Sequence, residues 1–180
     1  MLTITVPACE YYDEKADEFR FCKEQILCLE HSLVSISKWE SKWHKPFLSK
    51  DKKTAEETLD YIRCMTLTQN VNPDVYNFLT ADNIKEIENY IDDPMTATWF
   101  NEEPNSPKSR NVVTAEIIYY WMIGFNIPFE CQKWHLNRLL TLIRVCNIKS
   151  APPKKMGRQE TMSRNTALNA ARRKALKTRG

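Results

Sequence analysis

Pro152 and Pro153 form the sharpest division in the chain. A proline lacks the backbone N–H, fixes its own φ and pushes the preceding residue out of the helical region. Two in a row end whatever element precedes them. The charge separates at the same place. Residues 149–180 hold ten Lys or Arg and one acid, Glu160, a net +9. Of the 26 basic and 23 acidic side chains in the whole sequence, 16 and 22 remain in residues 1–148, a net −6. The expected organisation is a globular body over 1–150 and a basic helical extension over 151–180. Such a split marks the extension as a contact element.

The body has the composition of a folded domain. Hydrophobic residues make up 42% of the sequence and charged residues 27%, too apolar for a disordered chain. Only three glycines occur, Gly124, Gly157 and Gly180. Phosphate-cradling loops and dinucleotide fingerprints need several glycines close together, so neither can be built. Six cysteines, Cys9, Cys22, Cys28, Cys64, Cys131 and Cys146, follow no regular spacing. The first residues have no basic region and only a brief apolar run, unlike a secretory signal. Reduced thiols in a cytosolic protein are the simplest expectation. The longest apolar stretch, 117–129, contains Gly124, Asn126 and Pro128. It is shorter than the ~20 residues a membrane-spanning helix requires, and reads as core.

Leu2 to Val6 alternates apolar and polar residues, the period of a half-buried strand. Phe19 to Cys22 alternates as well, and 25–30 is a third extended candidate, with Asp13, Glu14 and Asp17 in a connecting loop. From Ser32 the period becomes helical, with Leu33, Ile36, Trp39 or Glu40, and Trp43 on one face and Pro46 as the stop. Thr54 and Glu57 have the spacing of a capping box for a helix carrying Leu59, Ile62 and Met65. Asn72, Pro73 and Asp74 make a turn. Thr80 and Asp82 open a helix with Ile84, Ile87 and Ile91, closed by Pro94. The prolines and polar residues of 101–111 predict an exposed loop. Thr114 is expected to cap a helix with Ile117, Ile118, Trp121 and Met122, broken at Asn126. A further helix carries Trp134, Leu136, Leu139, Leu140, Ile143 and Cys146. These last two helices are expected to pair at the centre of the core. The fold class is therefore α+β and mainly α. A small antiparallel sheet over 1–30 precedes about five helices over 31–150 and a basic C-terminal helix.

Candidate chemistry is sparse. Cys28 with His31 and Cys131 with His135 have the local spacing of two zinc-ligand pairs. The pairs lie far apart in sequence, and Cys28 falls on an expected strand. No catalytic, metal or cofactor site is assigned. Nucleophilic catalysis needs a base, an orienting group and an oxyanion site, and nothing selects one of His31, His44 and His135. The acid pairs at 56–57, 92–93 and 102–103 sit at helix ends or in a loop, where the helix dipole or water accounts for them.

Five tryptophans remain. Trp121 and Trp134 are expected in the core. Trp39, Trp43 and Trp99 are the candidate partner anchors, since tryptophan is enriched where interfaces concentrate their energy. Arg164, Arg172, Arg173 and Lys174 of the extension join them. The extension lacks the interleaved aromatics of a single-strand binder. Contact with protein, or simple solvation, therefore ranks ahead of nucleic acid.

Four stretches carry a resemblance: SLVSISKWESKWHKPFLS at 32–49, DDPMTATWF at 92–100, EIIYYWMIGFNIPFECQKWHLNRLLTLIRVCNIK at 116–149 and SRNTALNAARRKALKTRG at 163–180. Together they resemble small proteins of the structural modules of long-tailed bacteriophages, and most of all the tail assembly chaperones. The resemblance runs from Leu2 over nearly the whole chain and has no short diagnostic motif. It implies a helical, non-enzymatic, often oligomeric protein of the host cytoplasm. Such a protein binds the tape measure protein, helps tail tube subunits assemble around it and is absent from the mature virion. The alternatives are a permanent virion part, such as a connector or minor tail component, and then a small nucleic-acid-binding regulator using the basic tail.

Overall fold

A computed structural model describes residues 1–13, 17–100, 112–152 and 157–177. The loop expected at 101–111 lies outside them, as do Glu14 and Pro153. The fold is mainly α with a small β part, as the sequence leads one to expect. It divides into two units, Met1–Asn147 and Ile148–Gly180.

The first unit opens with four strands: β1 (Leu2–Val6), β2 (Cys9–Asp13), β3 (Glu18–Cys22) and β4 (Gln25–Leu29). β1 pairs antiparallel with β4, and β2 with β3. Leu2 faces Leu29, Val6 faces Gln25, Cys9 faces Cys22 and Asp13 faces Glu18. Every pair obeys one register, so the two ladders are nested hairpins, interrupted where Pro7 has no N–H to donate. β2 was not expected. Asp13, expected in the connecting loop, lies in the strand. The turn instead uses Asp17, in the left-handed region at φ 54°, with its carboxylate hydrogen-bonded to the Tyr12 hydroxyl. Ile4, Val6, Leu27 and Leu29 point inward and are buried, as the alternation requires.

Each of the next three helices begins with a reciprocal cap. α1 (Leu33–Trp43) is capped by Ser32 with Ser35, α2 (Ala55–Met65) by Thr54 with Glu57, and α3 (Ala81–Asp92) by Thr80 with Asn83 rather than Asp82. Such caps satisfy backbone donors that would otherwise lack partners, at roughly 1 kcal/mol each. His44 ends α1 in the left-handed region at φ 52°, ahead of Pro46. α4 (Ala115–Gly124) and α5 (Leu136–Ser150) follow, with 3-10 turns at Pro73–Phe78 and Phe129–Lys133. Trp134, expected inside the helix of α5, precedes it.

The centre of the core is α1. It packs against α2, α4 and the Phe129–Lys133 turn, while α3 packs on β1. The expected central pairing of α4 with α5 gives way to this arrangement, in which Leu33, Ile36 and Trp39 of α1 are fully buried. Leu33, Ile36, Met65, Ile118, Met122 and Leu139 are fully buried, each contributing about 1.5–3 kcal/mol through removal from water. The strand part is tied to this core through backbone bonds, Glu30 N–H to Met65 O (2.9 Å) and Leu136 N–H to His31 O (2.7 Å).

The second unit contains α6 (Arg158–Leu176), closed by Lys177 in the left-handed region. Its described side chains are exposed. Among the described residues, no helix is long and apolar enough to cross a membrane.

Candidate partner-binding surface

α4 reads AEIIYYWMIG, with Glu116 its one charged residue. A helix this apolar is ordinarily enclosed on most sides, yet α4 is buried on one side, and Glu116, Tyr120 and Ile123 are exposed on another. Ala115, Ile118 and Met122 face the core, while Tyr120 is 72% and Ile123 61% exposed. On its flank Trp121 and Phe125 join Leu140, Ile143, Arg144 and Asn147 around a cleft of about 330 Å³.

The helix is held from far away in sequence. Thr114 occupies the cap position but makes no side-chain cap bond, against expectation. Glu40 of α1 serves instead. Its Oε2 accepts the Ala115 N–H at 2.8 Å while Oε1 accepts the Phe47 N–H at 2.7 Å. Asn126, at φ 53°, turns the chain out of α4 and Pro128 prevents its return.

A second hollow, about 320 Å³, is lined by Pro94, Thr96, Thr98, Trp99, Phe100, Leu140, Thr141 and Arg144. It shares Leu140 and Arg144 with the α4 cleft. The Arg144 guanidinium lies over the Phe100 ring at 4.1 Å, and Trp99 stands 88% exposed at the rim. A third apolar group is on the β2–β3 hairpin, where Tyr12, Phe19 and Phe21 are exposed on one face. The Tyr12 and Phe19 rings are 5.1 Å apart.

The sequence candidates separate sharply. Trp39 is not a partner anchor. It is buried, and its Nε1–H donates to Glu57 O at 2.9 Å, because the stripe it belongs to faces α2. Trp43 is half-buried, stacked on Trp39 and donating to Asp60 Oδ2 at 2.8 Å. Burial of Asp60 opposes its charge, but hydrogen bonds from Lys42 and Trp43 outweigh it and hold the carboxyl below its ordinary range. On the next turn, the Lys45 ammonium and the Thr54 backbone likewise lower Glu57. Trp99 is open, as an anchor must be. Trp121 and Trp134, expected in the core, are half-buried. One lines the α4 cleft and the other lies under the Arg138 guanidinium at 4.3 Å. Arg164, Arg172, Arg173 and Lys174 are exposed on α6, in the other unit.

Of the possible zinc ligands, only the histidines converge. His31 and His135 have ring centroids 5.1 Å apart. His31 Nδ1 shares a hydrogen bond with Tyr61 Oη (2.5 Å), and His135 Nε2 donates to Tyr90 O (2.9 Å). Cys28 faces the other way, beside Thr3. Among the described residues, no group of three or more His, Cys, Asp or Glu could hold a metal ion.

Tyr120, Ile123, Phe19 and Phe21 were not singled out from sequence. The signal in α4 was its lack of any polar face, which reads equally well as complete burial. Searches against family models, curated proteins and solved structures return no match. The fold and surface together define a mainly α protein with a buried core and further apolar residues grouped on exposed faces.

Proposed function

We propose that this chain is a non-catalytic assembly factor of the phage tail chaperone type, binding the tape measure protein in the host cytoplasm. The observation that carries the reading is α4, apolar but for Glu116 and open at Tyr120 and Ile123. Open apolar surface of this kind costs solubility unless a partner covers it. The resemblance implies a long, aggregation-prone tape measure protein that must be kept soluble while tail tube subunits assemble around it. A helix laid across the α4 cleft, with Trp99 at one end, uses the ordinary helix-in-groove mode of recognition. The hairpin aromatics offer a second contact, to a tail tube subunit or to another copy of the chain.

Co-expression tests this reading. The tape measure protein should be soluble with the chain and aggregate without it. Equal solubility in both cases removes the basis for the assignment. Mass spectrometry of purified virions separates the chaperone from a permanent tail component, since only the latter persists in mature particles.

A further inference from the structure

The exposed helix α6 has a charge distribution that an apolar groove on a protein does not call for. Successive residues of an α-helix are rotated by about 100°. By that rule Arg164, Arg172, Arg173 and Lys174 spread around the whole circumference, with no arc wider than roughly 100° free of a cation, and Lys177, just past the helix in the left-handed region, adds a fifth cation. Met162 and Leu168 lie on different sides, and Arg172 falls between Leu168 and Leu176. The apolar side is thin: Ala167, Leu168, Ala171 and Ala175 share one narrow arc with Arg164 inside it, so a groove has little to receive, although Met162, Leu168 and Leu176 are all exposed. The acidic face of a protein would meet one side of such a helix and leave the others unanswered. The grooves of a nucleic-acid duplex present phosphates on both walls.

We infer that α6 is a binding element for double-stranded DNA, lying in the major groove and reading charge rather than sequence. The B-form major groove, about 12 Å wide, admits an α-helix. The A-form major groove of duplex RNA is too narrow and deep for one. The absence of aromatic residues from α6 leaves nothing on which to stack single-stranded bases. Its five cations fit phosphate neutralisation, and its Asn165 and Asn169 are short polar side chains suited to the backbone as well as to base edges. α6 and α4 belong to different units, so α6 gives the protein a second class of partner rather than a different account of the first.

Fluorescence anisotropy of the full chain on a labelled 20-base-pair duplex tests the inference, with salt varied from 50 to 200 mM. Neutralising about four to five phosphates gives a slope of log K against log salt near −4. The variant Arg164→Gln/Arg172→Gln/Arg173→Gln/Lys174→Gln keeps good helix formers, and circular dichroism checks that its helix content is unchanged. It should bind at least ~10-fold more weakly at 100 mM salt, with a slope shallower by about 3 to 4. Duplex RNA should bind more weakly than duplex DNA. No binding at 50 mM salt overturns the inference, as does affinity unchanged in the variant. So does binding of labelled polyglutamate more tightly than the duplex at equal charge concentration, which marks α6 as a contact for an acidic polypeptide.

Discussion

Glu40 on α1 accepts the N–H of Ala115 at the start of α4, with 2.8 Å between the heavy atoms and 75 residues of chain between them. The same carboxylate receives Phe47 N–H. One buried side chain therefore sets where α4 begins, and so where its open face lies. Glu40→Ala leaves two backbone donors without acceptors inside the protein. It should cost roughly 2–4 kcal/mol, since an unsatisfied buried group carries a penalty of about 1–3 kcal/mol. Glu40→Gln keeps one acceptor and should cost about half as much. Urea denaturation of the two variants checks the order, and equal losses would contradict the bridging role.

Trp39 and Trp99 predict opposite responses to substitution. Trp39→Phe removes a buried indole and its bond to Glu57 O, and should destabilise the fold by about 1.5–3 kcal/mol. Trp99→Ala removes a side chain that is 88% exposed, and should move stability by no more than ~0.5 kcal/mol. Thermal denaturation separates the two, and a large loss from Trp99→Ala would place that residue in the fold rather than at the partner's disposal.

Acid should loosen the protein through His31. Burial first, and then the neighbouring His135, lower its pKa to about 3, against roughly 6.5 in an unfolded chain. The folded state thus keeps His31 neutral while the unfolded state takes up the proton. The stability present above about pH 6.5 is lost as the pH falls towards 3, at up to ~1.4 kcal/mol per unit. The loss should reach about 2 kcal/mol by pH 5. Denaturant titrations at pH 7.5, 6 and 5 measure it, and His31→Gln should flatten the dependence over that range. An unchanged slope in the variant would assign the acid sensitivity elsewhere.

The hairpin aromatics should be dispensable for folding. Phe19 and Phe21 are 71% and 65% exposed, so Phe19→Ser/Phe21→Ser should leave the thermal midpoint within a few degrees of the original. If these rings contact a tube subunit or a second copy, the double variant should lose that association in sedimentation experiments. A collapse of the fold would show that they support it.

Local signals carried most of the fold. Thr54 with Glu57, β1 and the α1 stripe are written in neighbouring residues, and each forms where its pattern places it. What escaped depended on distant partners. β2 exists because β3 is there to pair with it, and its own residues carry no clear alternation. The cap of α4 comes from Glu40 rather than from Thr114, and no reading of residues 112–118 could supply it. The same holds for the surface. Helical spacing shows that Trp39 and Trp43 share a face, but not that α2 covers it. The composition of α4 shows that it is apolar, but which of its sides remains open is decided by α1. The charge of the extension was plain from sequence, whereas its distribution around α6 required the helix to be laid out.

The account stands most directly on α4 as a meeting surface for another polypeptide. Tyr120→Lys/Ile123→Lys places charge on its open face and puts a good helix former at both positions. A pull-down of the tape measure protein by the wild-type chain and by this double variant, both verified as folded, is the decisive measurement. The wild type should retain the partner and the variant should lose at least ~90% of it, the roughly tenfold drop that about 1.4 kcal/mol represents. Equal retention by both proteins would contradict the claim that α4 is where this chain binds.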